Sequence, residues 1–331
     1  MSEKKETLMI VEAINRALHD AMAANDKVLI LGEEVADEQE GGVMGVTKGL
    51  STKFGTDRVR STPISEQAIM GAAIGASLVG YRPVAEIMLM NFLAVPMDMI
   101  INHAAKLRFM SGGQTCVPIV IRTMTGCGYS LGGQHSDYLE SWFAHTPGIK
   151  VVAPSDANDA YGLMRAAIED DDPVLFIENL PTYTVKGDVS FETVPIGKAK
   201  VALAGKDVTV ITYSRMVVEA LEAAKIAAEN GISLEVIDLR TVVPWDRKTV
   251  LDSVAKTGHA ILVHEAVKEF GVGAEIASVI HEEMWDKLKK PVKRLGGAYS
   301  AVPFSKPLEA AYAPTAWLIA DAALEIHRRS T

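Results

Sequence analysis

The sequence predicts an α/β protein of two domains, the first a doubly wound, mostly parallel sheet and the second a further α/β unit. Three observations predict it. Short apolar runs rich in β-branched residues alternate with helical patterns through both halves of the chain, as expected of strands covered on both faces and joined by crossover helices. A stretch at 179–207, with Pro181, Gly187, Pro195, Gly197 and Gly205, interrupts that alternation before it restarts. The length of 331 residues, at roughly 150 residues per domain, suits two domains.

The elements follow in order. Residues 1–6 read as a charged tail. Ile10, Ile14, Leu18 and Met22 recur every four residues, an amphipathic helix that stops near Asn25-Asp26. In the first domain, 7–178, the strands are expected at Val28–Leu31, Val84–Met88, Val117–Ile121, Val151–Ala153 and Val174–Ile177. Glu86 and Pro118 are the two residues in these runs that do not suit a buried strand. Helices are expected at Glu66–Val79, Asp98–Met110 and Ser155–Ile168, with Ser155 as N-cap and Asp156 and Asp159 in the positive first turn. The stretch 179–207 reads as a linker with one or two edge strands. In the second domain, 208–331, strands are expected at Val208–Tyr213, Ile232–Leu239, Ala260–His264 and Val292–Leu295. Its helices are expected at Met216–Glu229, Asp246–Lys256, Gly273–Leu288 and Ala316–His327.

Composition narrows the function. Hydrophobic residues make up 48% and charged residues 23% of the chain, near the globular average, which excludes a disordered tail protein, a collagen-like fibre and a coiled coil. Forty-two acidic against thirty-three basic side chains leave a net charge of −9. A surface of that sign repels phosphate backbones and anionic lipid, so neither nucleic acid nor membrane is an expected partner. No apolar run approaches the roughly 20 residues that span a bilayer, and no apolar segment of signal-peptide type follows the tail. Cys116 and Cys127 form no metal-type cluster. A cytoplasmic protein is the expectation.

Ligands of open α/β sheets collect beyond the carboxyl ends of the strands. The richest candidate there is the loop after the third strand, Arg122 to Ser136, with four glycines in eight positions and His135 at its end. His135 could donate to a phosphate or shuttle a proton, or be an exposed histidine on a glycine-rich turn. The second is Thr62-Pro63-Ile64-Ser65-Glu66-Gln67. Glu66 opens a helix nearly bare of side chains (Gly71, Ala72, Gly75, Ala76), and is either a dipole partner or a desolvated acid of raised pKa. Phe92, after the second of the runs above, reads as core or ligand contact. Glu169-Asp170-Asp171-Asp172 ends a helix against its dipole, so the run is either solvated or offset by a cation. His145 carries the same ambiguity as His135. A P-loop is absent, Gly271-Val272-Gly273 lacks the third glycine of a dinucleotide fingerprint, and no Gly-Asp-Gly followed by Asn-Asn is present.

Taken together the loops resemble one family. Gly32-Glu33-Glu34, Thr62–Gln67, Gly133-Gln134-His135-Ser136, His145-Thr146-Pro147-Gly148, Pro195–Ala199, Asp238–Thr241 and Phe270–Glu275 are similar, in order and over almost the whole chain, to the β subunit of thiamine-diphosphate-dependent 2-oxoacid dehydrogenases. That family includes pyruvate, acetoin and branched-chain enzymes. The resemblance implies a pyrimidine-binding α/β domain followed by a transketolase-type C-terminal domain. It also implies an assembly of two α and two β subunits, with thiamine diphosphate shared between α and β. The α subunit holds the diphosphate and magnesium, which accounts for the missing Gly-Asp-Gly motif.

The resemblance further implies residue roles. Glu66 matches the carboxylate that hydrogen-bonds the pyrimidine nitrogen and so promotes loss of the thiazolium proton. Ile64, Met88 and Phe92 match the lining of the same pocket, and Met88 stands where branched-chain members carry glutamine. His135 matches an active-site histidine near the substrate carbonyl or the acyl-transfer step. Ile119, Ala167, Ile168, Asp170 and Asp172 match positions whose oxygens bind a structural potassium ion, with Asp172 where some relatives have asparagine. The implied reaction is oxidative decarboxylation of a small 2-oxoacid, with the acyl group passed to a lipoyl group on a dihydrolipoyl acyltransferase. Met90-Asn91-Phe92 and Ser111-Gly112-Gly113 resemble pyruvate enzymes, whereas Gly41–Leu50 resembles the acetoin branch. Pyruvate ranks first, acetoin second and branched-chain oxoacids third. Two other classes compete. A non-catalytic docking scaffold is disfavoured by Glu66, Phe92 and His135 occurring together. A flavodoxin-like redox protein is disfavoured by two acids after the first strand.

Overall fold

The computed structural model describes residues 5–328; most of the charged tail and the last three residues lie outside them. The described chain divides into two compact units. One comprises the residues up to Thr125 plus Trp142–Ile196, the other Gly126–Ser141 plus the residues from Gly197 onward. The segment 126–141, which stands in sequence between two strands of the first unit, therefore clusters with the second.

The first unit is built on parallel strands in the spatial order Lys150–Val152, Val174–Asn179, Val120–Thr125, Arg82–Leu89, Val28–Gly32 and Val59–Ser61. Val174 to Ile177 are all buried, as are Val84, Ala85 and Ile87, because helices cover both faces of a parallel sheet. The helix Ile10–Ala24 turns Ile10, Ile14, Leu18 and Met22 inward and packs on the helix Ala157–Glu169. The strand Glu6–Met9 pairs antiparallel with Lys186–Val189, so part of the linker stretch completes this unit.

Three local differences from the sequence reading have physical causes. The N-cap of Ala157–Glu169 is Asp156, which accepts the Asp159 N–H at 2.8 Å, and not Ser155; the carboxylate reaches the orphan donors of the first turn. The strand after Pro118 begins at Val120 and runs to Thr125, since proline has no N–H for the ladder. The helix expected over 98–110 is a π-helical turn Met99–Ala104 followed by Leu107–Met110. It breaks where Gly148, at φ +101, lays its backbone on the Ala105 carbonyl, so that any side chain there would collide at 1.9 Å.

The second unit has the strand order Lys293–Gly297, Ala260–Val267, Val208–Thr212, Leu234–Asp238 and Lys200–Leu203, parallel except for the last. Arg215–Glu229 and Ala316–Arg328 pack against it through alanines, including Ala220, Ala223, Ala320 and Ala323. Small residues let these helices lie close to the strands and exclude water.

Candidate functional site

In the first unit the strand Val28–Gly32 is flanked on one side by the next strand in sequence and on the other by Arg82–Leu89. That reversal is the topological switch point where ligands of such sheets bind. The chain delivers its chemistry to this edge from three strand ends. Glu33 directly follows Val28–Gly32. Ile64 and Glu66 follow Val59–Ser61, Glu66 as the first residue of the helix Glu66–Leu78. Met88 lies in the strand Arg82–Leu89, and Phe92 follows it in a 3-10 turn, Met90–Ala94.

Glu66, Met88 and Phe92 are half-buried, and Ile64 is 82% exposed. Burial pushes the Glu33 carboxyl up, and the neighbouring Glu66, Glu34 and Glu86 add to the shift. Several carboxyl groups thus lie near one another at these strand ends, with a thioether and an aromatic ring on the adjoining strand and turn. That donor set fits a flat heterocycle with a ring nitrogen: an acid to meet the nitrogen, apolar surface for the ring face.

Behind Met88 lies a buried ionic network. Arg122, in the next strand, donates to Glu86 at 2.5 Å and to Glu178 at 2.6 and 2.8 Å, and Tyr183 donates to Glu178. Burial pushes the Glu86 carboxyl up and Arg122 counters that shift, while burial and Glu178 keep the Tyr183 phenol protonated. These residues and Met88, with Gly41, Gly42, Val43 and Met44 above them, line a cavity of about 20 Å³, room for about one water. Gly32 is required here, because a side chain on it would meet the Glu86 Cβ at 2.8 Å. Asp37 fastens the loop above: it accepts the N–H groups of Gly49 (2.5 Å) and Thr52 (2.7 Å) and the Ser51 and Thr52 hydroxyls. Burial works against its charge, but these donors hold its carboxyl down at about 2.

The acidic run at the end of Ala157–Glu169 is gathered rather than splayed. Arg82 donates to the carbonyls of Ile168 (3.0 Å) and Asp170 (2.9 Å). Lys150 reaches both Asp170 oxygens, at 2.7 and 2.6 Å, and Arg108 reaches Asp172 at 2.6 Å. The Ile119 carbonyl accepts the Val174 N–H at 3.0 Å and keeps a second lone pair. Among the described residues no group of three or more His, Cys, Asp or Glu side chains is arranged for a metal. A cation at this turn would rest largely on carbonyl oxygens, the donors that suit a hard ion.

His135 belongs to the second unit, half-buried on the short helix Gly133–Ser136. Burial and Glu265 push the nearby Cys127 thiol up to about 12, which leaves it no thiolate at neutral pH. The Gly271-Val272-Gly273 pair serves packing: side chains there would come within 2.6 and 2.9 Å of the His264 ring. Burial holds that imidazole neutral, with a pKa of about 4. His145 lies in the first unit, in the loop whose Pro147 carbonyl accepts Lys106 Nζ at 2.9 Å.

Sequence reading missed Arg122, Glu178 and Tyr183 as neighbours of the site. The available signal was the pair of opposite charges, Glu86 and Arg122, in two apolar strand runs, since charges in such strands are buried only when paired.

Comparison with known proteins agrees with this architecture. Residues 6–185 match the transketolase pyrimidine-binding domain and residues 197–319 the transketolase C-terminal domain. The chain is 44% identical to pyruvate dehydrogenase E1 component subunit beta-2, mitochondrial, of Oryza sativa subsp. japonica, over 93% of this chain and 83% of that one. It is 42% identical to the acetoin:2,6-dichlorophenolindophenol oxidoreductase subunit beta of Bacillus subtilis (strain 168), over 95% and 96%. A split-gene transketolase, solved as an inactive beta4 tetramer, shares the fold with a TM-score of 0.79 at 24% identity, covering 98% of this chain and 99% of that one. The paired domains and these identities place the chain in the transketolase-like family of β subunits of 2-oxoacid and acetoin dehydrogenase first components.

Proposed function

We propose that this chain supplies the pyrimidine side of a thiamine diphosphate site, and that an α subunit completes it with the diphosphate and magnesium. The reaction is oxidative decarboxylation of a small 2-oxoacid, pyruvate first, with the acyl group passed to a lipoyl group on an acyltransferase partner. The observation that carries this reading is Glu66 at the switch-point edge beside Glu33, with Met88 and Phe92 on the adjoining strand and turn.

When bound, thiamine diphosphate supplies an acidic ring carbon that adds to a carbonyl and stores the electrons of the broken carbon–carbon bond. The residues of this chain do the rest. Glu66 holds a proton at the pyrimidine nitrogen. Phe92, Met88 and Ile64 present apolar surface to the ring and exclude water from it. Because Glu66 is only half-buried and Ile64 is 82% exposed in this chain, the desolvation that such proton sharing needs comes from the partner subunit. His135 acts on the acyl-transfer side. The carbonyls of Ile119, Ala167 and Ile168, with Asp170 and Asp172, hold a structural potassium ion.

Acetoin is the second substrate reading, favoured by Val43 and Met44, which belong to the acetoin-like loop and line the cavity beside Met88. Reconstitution with the α subunit and turnover of pyruvate, acetoin and branched-chain oxoacids tests the order. Highest kcat/KM is expected for pyruvate, and a higher value for acetoin would reverse the ranking. This chain alone should not decarboxylate; activity without the α subunit would refute the shared site.

A further inference from the structure

We propose that Glu309 is a positioning residue that fixes the loop carrying His135, through backbone hydrogen bonds to Gly128 and Ser130. The proposal rests on the role given above to His135.

The loop has no regular structure from Gly126 to Gly132 and twists repeatedly into the left-handed region. Gly126, Gly128, Ser130 and Gly132 lie at φ +117, +127, +57 and +76. Ser130 is the one without glycine's freedom, a conformation that stands only when the surroundings impose it. Glu309 imposes it. Glu309 is 4% exposed, and its Oε1 accepts the Gly128 N–H at 2.6 Å and the Ser130 N–H at 3.1 Å. Oε2 accepts the same Ser130 N–H at 3.0 Å and lies 3.4 Å from the Ser130 hydroxyl.

Hydrogen bonds to a buried carboxylate are stronger and more directional than those between neutral groups. Donors two residues apart, gripped by one carboxylate, leave the intervening backbone little freedom.

The ends of the loop are held separately. At the start, Glu265 accepts the Cys127 N–H at 2.6 Å and Arg215 donates to the Cys127 carbonyl at 2.7 Å, while Cys127 packs with Val302, Tyr312 and Ala313. Beyond His135, the fully buried Glu140 accepts the Tyr213 hydroxyl at 2.6 Å. Just before His135, the ring of Phe304 lies so close on Gly132 that a side chain there would meet it at 2.3 Å. Glu309 grips the stretch between the Cys127 anchor and the Phe304 contact, from which the chain enters the turn of His135.

The test uses the reconstituted complex with a lipoylated acyltransferase and three variants: His135→Asn, Glu309→Gln and the double. Glutamine keeps one acceptor but sets an amide donor against backbone N–H groups. Glu309→Gln is expected to lower kcat for acyl transfer about 10- to 100-fold, the scale of an ångström's misplacement, with little change in KM. Hydrogen–deuterium exchange of the 126–136 peptide should rise about tenfold. The double variant should be no slower than His135→Asn alone, since both act through one group. Multiplying effects, or Glu309→Gln with wild-type kcat and loop exchange beside an impaired His135→Asn, would overturn the proposal. A fully active His135→Asn sinks the reading of His135 first and takes the proposal with it. Should Glu309→Gln not assemble, Glu309→Asp, which keeps the charge but draws the carboxylate back by one methylene, serves instead. It should raise loop exchange and slow acyl transfer about threefold to tenfold by the same loosening; wild-type behaviour overturns the proposal.

Discussion

Arg122 grips Glu178 with two donors, Nε to one carboxylate oxygen at 2.6 Å and Nη2 to the other at 2.8 Å, in side chains no more than 2% exposed. Its remaining arm reaches Glu86 at 2.5 Å. One guanidinium therefore serves two buried carboxyls under the candidate pocket. Arg122→Met should destabilise the chain by about 3–5 kcal/mol, because it strands both acids without a cation. Denaturant unfolding of the variant complex checks this. A loss under 1 kcal/mol would mean that the carboxyls are relieved in some other way.

Glu66→Gln should slow hydrogen exchange at the thiazolium carbon of the bound coenzyme by about 10²–10⁴, the range of a lost general acid–base group. The fold should survive, since Glu66 is a half-buried first-turn residue. Exchange at the wild-type rate in the assembled variant would remove Glu66 from the chemistry.

Potassium should raise the melting temperature of the complex over sodium at equal ionic strength. At a hundredfold excess over its dissociation constant a bound ion adds about 2.7 kcal/mol. The increment should vanish in Asp170→Ala, which also removes two contacts of Lys150 and leaves its pairing with Asp172 at 3.4 Å. Equal melting temperatures in the two salts would leave side-chain cations, Arg82, Lys150, Arg108 and Arg165, as the counterions of the acidic run.

Glu140 gives a pH signature. Burial raises its carboxyl from 4.5 to about 7, although the Tyr213 hydroxyl opposes the shift. The folded form holds this proton more tightly than the unfolded one, so the group's contribution is fully present below about 4.5. It is lost as the pH rises towards about 7 and beyond, amounting to about 3 kcal/mol. Glu140→Gln keeps an acceptor for Tyr213 and cannot ionise. Its melting temperature should exceed that of the wild type at pH 8 and approach it at pH 5. A constant difference across that range would refute the assignment.

Much of the architecture was legible along the chain. Ile10, Ile14, Leu18 and Met22 announced a helix face, and the run Val174–Ile177 announced a strand buried on both sides; both lie in the structure as such. The strand-end positions of Glu66 and Phe92 were legible as places where α/β sheets can hold ligands, whereas their proposed roles, and that of Met88, came from the family resemblance. Less legible were residues whose meaning depends on a distant partner. Glu86 looked like a flaw in a strand until Arg122, 36 positions on, met it, and Glu309 lies 181 residues from the Gly128 amide it holds.

Local periodicity decides most of where this chain makes strands and helices, because those preferences act over a few bonds; the break after Ala104, where Gly148 meets the Ala105 carbonyl, is an exception. Whether a buried charge is answered, a thiol silenced or a twisted loop held still depends on groups brought together from remote parts of the sequence. Folding makes those contacts, as in Arg122 between its two acids and Glu309 under its loop, and no short window of residues contains them.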